Sequence, residues 1–163
     1  YRLFLLNIFK LNTGHVYRWS LKNGYSIVPN SQGTWPNGID MIDDDLYVNY
    51  RGNGKITKFS SNMRKDLILR TYLNGGPDNV TAVGDELWIG GQNTDLGGLN
   101  CIPEDVIQCS MPFFIIRADR DLNILEEYNF KDVAYGGASV AYPFEDKVFI
   151  GAYKSDRIAI FKR

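Results

Sequence analysis

The chain has 163 residues and a formal net charge of −1, with 44% hydrophobic and 13% aromatic residues. This length and composition are typical of one globular domain with its own hydrophobic core. No lysine- and arginine-rich block is present, which argues against a nucleic-acid or membrane-surface partner, because such partners require a basic stripe. No apolar run approaches the roughly 20 residues that a membrane-spanning helix needs, so the sequence predicts no transmembrane segment.

The first part of the chain predicts short strands over residues 3–9 and 15–21. The chain begins at Tyr1, close to strand sequence and without an initiator methionine, so we expect a fragment of a longer protein. His15 is the only histidine, and we interpret it as a strand or turn residue.

A repeat with an offset of 41 residues organises the middle of the chain. Residues 36–48, PNGIDMIDDDLYV, align without gaps with residues 77–89, PDNVTAVGDELWI, and residues 137–151 repeat the scheme less regularly. Each copy consists of a short strand, an acidic turn and a second strand. Internal repeats of this kind indicate stacked copies of one structural unit.

Further strands follow each copy, and they are predicted over residues 55–59, 67–73, 113–119, 124–128 and 157–161. Four strands in a period of about 40 to 50 residues are typical of a β-propeller blade. We therefore predict an all-β propeller of four-stranded blades in a single partial domain over residues 1–163. Its parts are a blade remnant at 1–34, blades at 35–74 and 75–131, and a final partial blade at 132–163.

The two cysteines, Cys101 and Cys109, lie in a polar loop. They are candidates for a local disulfide, but two free thiols fit the sequence equally well, and the cellular compartment stays open. No zinc site is predicted, because His15 alone could add a nitrogen ligand.

Several motifs together resemble the C-terminal half of the paraoxonase (arylesterase/lactonase) family, which belongs to a wider group of six-bladed propellers with the gluconolactonases and strictosidine synthases. The motifs are WPNGI at 35–39, PDNV at 77–80 with LWIG at 87–90, and GASVA at 137–141 with FIG at 149–151. The resemblance covers nearly the whole chain. It implies that about three and a half of six blades are present here, and that the missing N-terminal blades belong to the same protein.

The resemblance implies a calcium ion at the mouth of the central tunnel, with Asn37, Asp78 and Asn79 as ligands. Amide and carboxylate oxygens are the hard donors that calcium prefers. The residues alone leave a second interpretation open, in which Asn37 and Asp78 are turn residues after proline. Asn79 also begins the only glycosylation sequon. We expect it to be unmodified, because the start of an inner strand is poorly accessible to a glycan.

Trp35, Trp88, Gln92 and Ser139 are candidate pocket-lining residues beside the expected ligands, although Trp88 also fits a core position. Gln92 stands where many members of the family have a histidine, and glutamine cannot act as a base near neutral pH. The catalytic residues are therefore unknown, with Asp78 as the only candidate for a base.

The resemblance implies a calcium-dependent hydrolase of lactones or aryl esters, with a small-molecule substrate. The alternative is a non-catalytic, calcium-stabilised propeller that acts as a binding or chaperone-like module, since one fold hosts many functions. In either case we expect residues 1–163 alone to be inactive, to bind metal weakly and to associate, because half a ring leaves two unpaired blade edges.

Overall fold

The computed structural model describes residues 11–60, 64–68, 76–93, 110–131 and 133–163. Within these ranges the protein consists of thirteen β-strands and one short 3-10 turn at Arg51–Asn53, with no α-helix. The all-β prediction is therefore confirmed. Among the same residues, no helix has the length and apolar character needed to cross a membrane.

A two-stranded antiparallel sheet comes first, formed by β1 (Tyr17–Ser20) and β2 (Gly24–Ile27). Val16 and Val28 flank this hairpin and pack against Val48 and Tyr50 of the next sheet. The predicted strand over residues 3–9 lies outside the described residues.

The second sheet has four antiparallel strands in chain order: β3 (Pro36–Ile42), β4 (Asp45–Tyr50), β5 (Lys55–Phe59) and β6 (Arg64–Ile68). The predicted strand over 55–59 is confirmed. β6 begins at Arg64 rather than at residue 67, because polar contacts fix this edge strand. The carboxylate of Asp66 accepts hydrogen bonds from Thr57 Oγ1 at 2.7 Å and Lys55 Nζ at 2.9 Å.

The third sheet repeats this order with longer strands: β7 (Gly76–Val83), β8 (Glu86–Gln92), β9 (Phe113–Asp119) and β10 (Ile124–Phe130). The predicted strand over 113–119 is confirmed, and β10 extends two residues beyond the predicted 124–128. Cys101 and Cys109 lie outside the described residues.

The fourth sheet is antiparallel and contains β11 (Ala138–Phe144), β12 (Lys147–Ala152) and β13 (Ala159–Lys162). Cross-strand pairing places Tyr142 and Ile160 opposite Phe149 on one face. Tyr142 and Ile160 are exposed there, whereas Val148 and Ile150 on the other face are buried.

Successive sheets pack through their first strands. β3 contacts β7, and β7 and β8 contact β11. One core cluster lies between the second and third sheets, around Tyr47, Ile56 and Leu87. Another lies between the third and fourth sheets, around Trp88 and Ile115. This stacking brings the starts of β3, β7 and β11 to one region of the molecule.

Candidate metal site at the first strands

Each of the three first strands carries a β-bulge near its beginning. The pairing register shifts between Pro36 and Ile39 in β3, between Pro77 and Val80 in β7, and between Ala138 and Val140 in β11. A bulge leaves a residue unpaired and redirects side chains, and bulges are frequent beside functional sites. The bulges contain all four candidate residues of these strands: Asn37, Asp78, Asn79 and Ser139.

The carboxylate of Asp78 is the centre of a polar cluster. Asn37 Nδ2 donates a hydrogen bond to Asp78 Oδ1 at 2.7 Å, and Gln92 Nε2 donates one to Asp78 Oδ2 at 3.0 Å. Gln92 Nε2 also donates to the backbone oxygen of Ala138, which connects the third sheet to the fourth. Asn37 and Asp78 are the repeat-equivalent residues that the sequence placed 41 positions apart, and they are in direct contact.

The backbones of β3 and β7 approach very closely beside this cluster. A Cβ atom on Gly38 would lie 2.4 Å from the backbone oxygen of Asp78 and 2.5 Å from Cα of Asn79. Real Cβ atoms essentially never come so close to backbone, so only glycine fits here. Gly38 therefore sets the distance between Asn37 and Asp78.

Two members of the cluster were missed by sequence reasoning. Asn49 Nδ2 donates to the backbone oxygen of Asp78 at 3.2 Å, and Arg51 Nη1 lies 3.7 Å from Asp78 Oδ2. The signal that could have found Arg51 is the repeat itself, because Arg51 and Gln92 are separated by the same offset as Asn37 and Asp78. Both side chains reach the same carboxylate oxygen from the ends of β4 and β8.

The cluster lies largely inside the protein. Asn49 and Gln92 are fully buried, and the side chains of Asp78 and Arg51 are 13% and 15% exposed. Next to Arg51, burial raises the pKa of Tyr50 to about 12. The neutral hydroxyl of Tyr50 donates to the backbone oxygen of Ser31 at 2.7 Å, which anchors the end of β4 from which Arg51 extends.

The donor chemistry of the cluster fits calcium. The amide oxygens of Asn49 and Gln92 are buried and have no hydrogen-bond partner, although buried polar atoms are nearly always paired. Together with the Asp78 carboxylate they are hard oxygen donors of the type that calcium binds. No group of three histidine, cysteine, aspartate or glutamate side chains suited to a metal occurs in the described part of the chain, so the candidate donors are mostly amides.

The other predicted site residues occupy different environments. Trp35 is 49% exposed, and Asn79 and Ser139 are partly buried. Trp88 is fully buried in the core between the third and fourth sheets, so it lines no open pocket. His15 lies just before β1, with its ring 6.4 Å from that of Tyr17.

A cavity of about 760 Å³ opens elsewhere, between the β1–β2 hairpin and the second sheet. Val16, Ile39 and Phe59 are among its lining residues, and no member of the Asp78 cluster is. The cavity and the converging polar side chains therefore lie in different parts of the protein. We assign the candidate site to the polar cluster, because side chains of β3 and β8 converge there on the Asp78 carboxylate beside buried amide oxygens that have no hydrogen-bond partner.

Comparisons of the sequence with protein-family models and with curated proteins gave no match. The geometry of the Asp78 cluster and the motif resemblance to paraoxonase-like proteins are therefore the observations that bear on function.

Proposed function

We propose that this chain is part of a β-propeller that binds calcium at the Asp78 cluster and acts as a calcium-dependent hydrolase of lactones or aryl esters. The observation that carries the proposal is that Asn37 and Gln92 both donate to the Asp78 carboxylate, and that Asn37 and Asp78 come from the repeat-equivalent starts of the first strands of successive sheets. Convergence of repeat-equivalent strand ends is what a ring of blades around one axis produces.

The residues that would hold calcium are Asp78, through its carboxylate, and Asn37, Asn49, Asn79 and Gln92, through their amide oxygens. Bound there, calcium would supply a Lewis acid that polarises an ester or lactone carbonyl and stabilises the developing negative charge. Both oxygens of Asp78 already accept hydrogen bonds from amides. Asp78 is therefore oriented as a ligand, and the base that activates water is to be sought outside the cluster.

Trp35 gives the site an apolar surface. Its ring is half exposed, and its backbone directly precedes the bulge that contains Asn37. An aryl group or the hydrocarbon ring of a lactone packs favourably on such a surface. Trp35 would therefore position the substrate while the polar cluster contacts its carbonyl.

The test is calcium titration by calorimetry, with Asp78→Asn as the variant and Asp44→Asn as the matched control. Asp44 lies in the exposed acidic turn between β3 and β4, so its substitution removes the same charge at a distance from the cluster. We expect Asp78→Asn to lose at least tenfold in calcium affinity, because it removes the charged ligand. We expect Asp44→Asn to bind as the wild type does.

Hydrolysis is tested with the same variants of the full-length protein, because residues 1–163 alone are expected to be inactive, on a panel of lactones and aryl esters with and without a chelator. The expected outcome is turnover that requires calcium and falls in Asp78→Asn. If Asp78→Asn turned over substrate as fast as the wild type and still required calcium, the Asp78 cluster would have no role in catalysis.

One observation favours a second candidate, the non-catalytic calcium-stabilised propeller. Gln92, which stands where a histidine is common in the resembling family, is fully buried and donates its amide hydrogens to Asp78 and Ala138. Such a residue connects sheets and exchanges no proton near neutral pH. In this candidate calcium would raise the melting temperature, and no member of the substrate panel would be turned over.

A further inference from the structure

Arg51 holds an incomplete ion pair. Its Nη1 atom lies 3.7 Å from Asp78 Oδ2, is buried and has no hydrogen-bond partner. The carboxylate instead accepts hydrogen bonds from the amides of Asn37 and Gln92. A buried guanidinium whose donor is unpaired costs free energy that a closer pair would recover. The positive charge of Arg51 is thus held beside Asp78 without a direct bond.

The main chain of Arg51 is fixed by its neighbours, so any displacement of its charge has to take place in the side chain. The Arg51 backbone N–H donates to the oxygen of Trp35 at 3.0 Å, and a Cβ on Gly76 would lie only 2.3 Å from the Arg51 oxygen. The guanidinium carbon lies 5.8 Å from the centroid of the Trp35 ring, which is 49% exposed. Rotation of the side chain along this ring would carry the charge toward solvent while the backbone stays in place.

We propose that Arg51 is an internal counter-ion that competes with the divalent cation for Asp78. This inference rests on the proposed calcium site. With no cation bound, the guanidinium neutralises the carboxylate and stabilises the protein. A divalent cation bound to Asp78 would repel a guanidinium within about 4 Å of the same oxygen, so binding requires Arg51 to move away over Trp35.

Competition of this kind has two linked consequences. Arg51 lowers the affinity for calcium, and calcium reduces the contribution of Arg51 to stability, because coupling between two groups is reciprocal. Removing the guanidinium should therefore strengthen calcium binding by about tenfold, within the usual range of coupling between sites. It should also lower the melting temperature in chelator and leave it nearly unchanged in saturating calcium.

The experiment measures calcium dissociation constants by calorimetry, and melting temperatures with and without calcium, for the wild type, Arg51→Met and Arg117→Met. Methionine keeps an aliphatic chain against Trp35 and removes the charge. Arg117 is the matched control, since it is an arginine over another tryptophan, 6.0 Å from the centroid of Trp88. Its substitution changes the net charge equally and leaves Asp78 untouched. If Arg51→Met does not fold, Arg51→Gln decides, because glutamine stands at the repeat-equivalent position 92.

About tenfold tighter binding by Arg51→Met, with Arg117→Met equal to the wild type, supports the inference. Equal or weaker binding by Arg51→Met overturns it, as does an equal gain in both variants, which would be an effect of net charge. If the wild type binds calcium and Arg51→Met gains nothing, the inference alone fails. If neither binds calcium, the inference and the proposed calcium site fail together.

Discussion

Arg51 and Arg117 each lie over a tryptophan ring and beside carboxylates. They differ in how many hydrogen bonds the guanidinium donates to those carboxylates. Arg117 donates from Nε to Glu86 at 2.8 Å and from Nη1 to Glu126 at 2.6 Å, and it lies over Trp88. Arg51 has only the 3.7 Å contact with Asp78, and it lies over Trp35. The Arg51 pair is the more buried of the two, yet it is the less satisfied.

The difference separates an arrangement that only holds strands together from the one at which we propose calcium binding. Bidentate, charge-assisted hydrogen bonds such as those of Arg117 hold neighbouring strands in register. A buried group without its full set of partners costs stability, and such costs are concentrated at functional sites. The backbone at Trp35 adds to this cost, because its φ of 54° is unusual for a bulky residue. The hydrogen bonds of Arg117 form without a strained backbone of this kind.

The largest expected difference between the two arrangements comes from removing a carboxylate. Asp78→Ala leaves the buried Arg51 guanidinium without its counter-ion and removes the acceptor of Asn37 and one of the two acceptors of Gln92, so we expect a loss of about 3 kcal/mol in the free energy of unfolding. Glu126→Ala leaves Arg117 bonded to Glu86 and should cost about 1 kcal/mol or less. Urea unfolding in the presence of a chelator measures both. Equal losses in the free energy of unfolding would show that the two arginines are held by their carboxylates in equivalent ways.

A smaller effect is expected when the Asp78 cluster is displaced without changing any charge. Gly38→Ala places a Cβ against the backbone of Asp78 and Asn79, and we expect it to cost about 2 kcal/mol and to weaken calcium binding. Gly151→Ala is the control, because its nearest neighbour is a side-chain methyl of Val140 at 2.7 Å, which has more freedom to shift. A Gly38→Ala protein with wild-type stability and calcium affinity would contradict the role assigned to this close approach.

The smallest effect concerns pH and the Arg117 arrangement. The hydrogen bonds from Arg117 hold the pKa of Glu86 below the usual 4.5. The pKa of Glu126 is lowered mainly by the hydrogen bond from the Tyr128 hydroxyl and, to a smaller extent, by Arg117. A lowered pKa in the folded state gives stability that is present above the unfolded value and is lost as the pH falls through the folded value. We expect Arg117→Met to cost about 1 kcal/mol at pH 7 and to flatten the loss of stability below pH 4.5.

Thermal unfolding of the wild type and of Arg117→Met as a function of pH measures this effect. A steep acid dependence retained in Arg117→Met would mean that other carboxylates dominate it.

The sequence predicted much of the fold, because repeats and alternating apolar residues are visible in it. The strands at 55–59 and 113–119 have the predicted bounds. β6 begins three residues before the predicted start, because Arg64, Lys65 and Asp66 carry no hydrophobic pattern and polar contacts with β5 fix this edge strand. Residues 69–73 of the predicted strand lie outside the described residues.

The family resemblance implied that Asn37 and Asp78 lie close together, and the structure places them in contact, but the identity of their other partners was not predicted. Arg51 and Asn49 lie after the last residue that aligned between the two copies, where the aligned pattern gave no reason to assign them a role. The bulges have no signature in a single sequence either, because they depend on which residues pair across the strands.

The three bulges have a consequence for how the copies of this repeat diverge. A bulged residue is left out of the ladder of paired residues, so strand pairing does not depend on which side chain it carries. Asn37, Asp78 and Ser139 occupy these unpaired positions, and all three differ in chemistry although their strands are equivalent. One structural position thus presents three different polar groups to the same region of the molecule, while antiparallel pairing continues on either side of it in each copy.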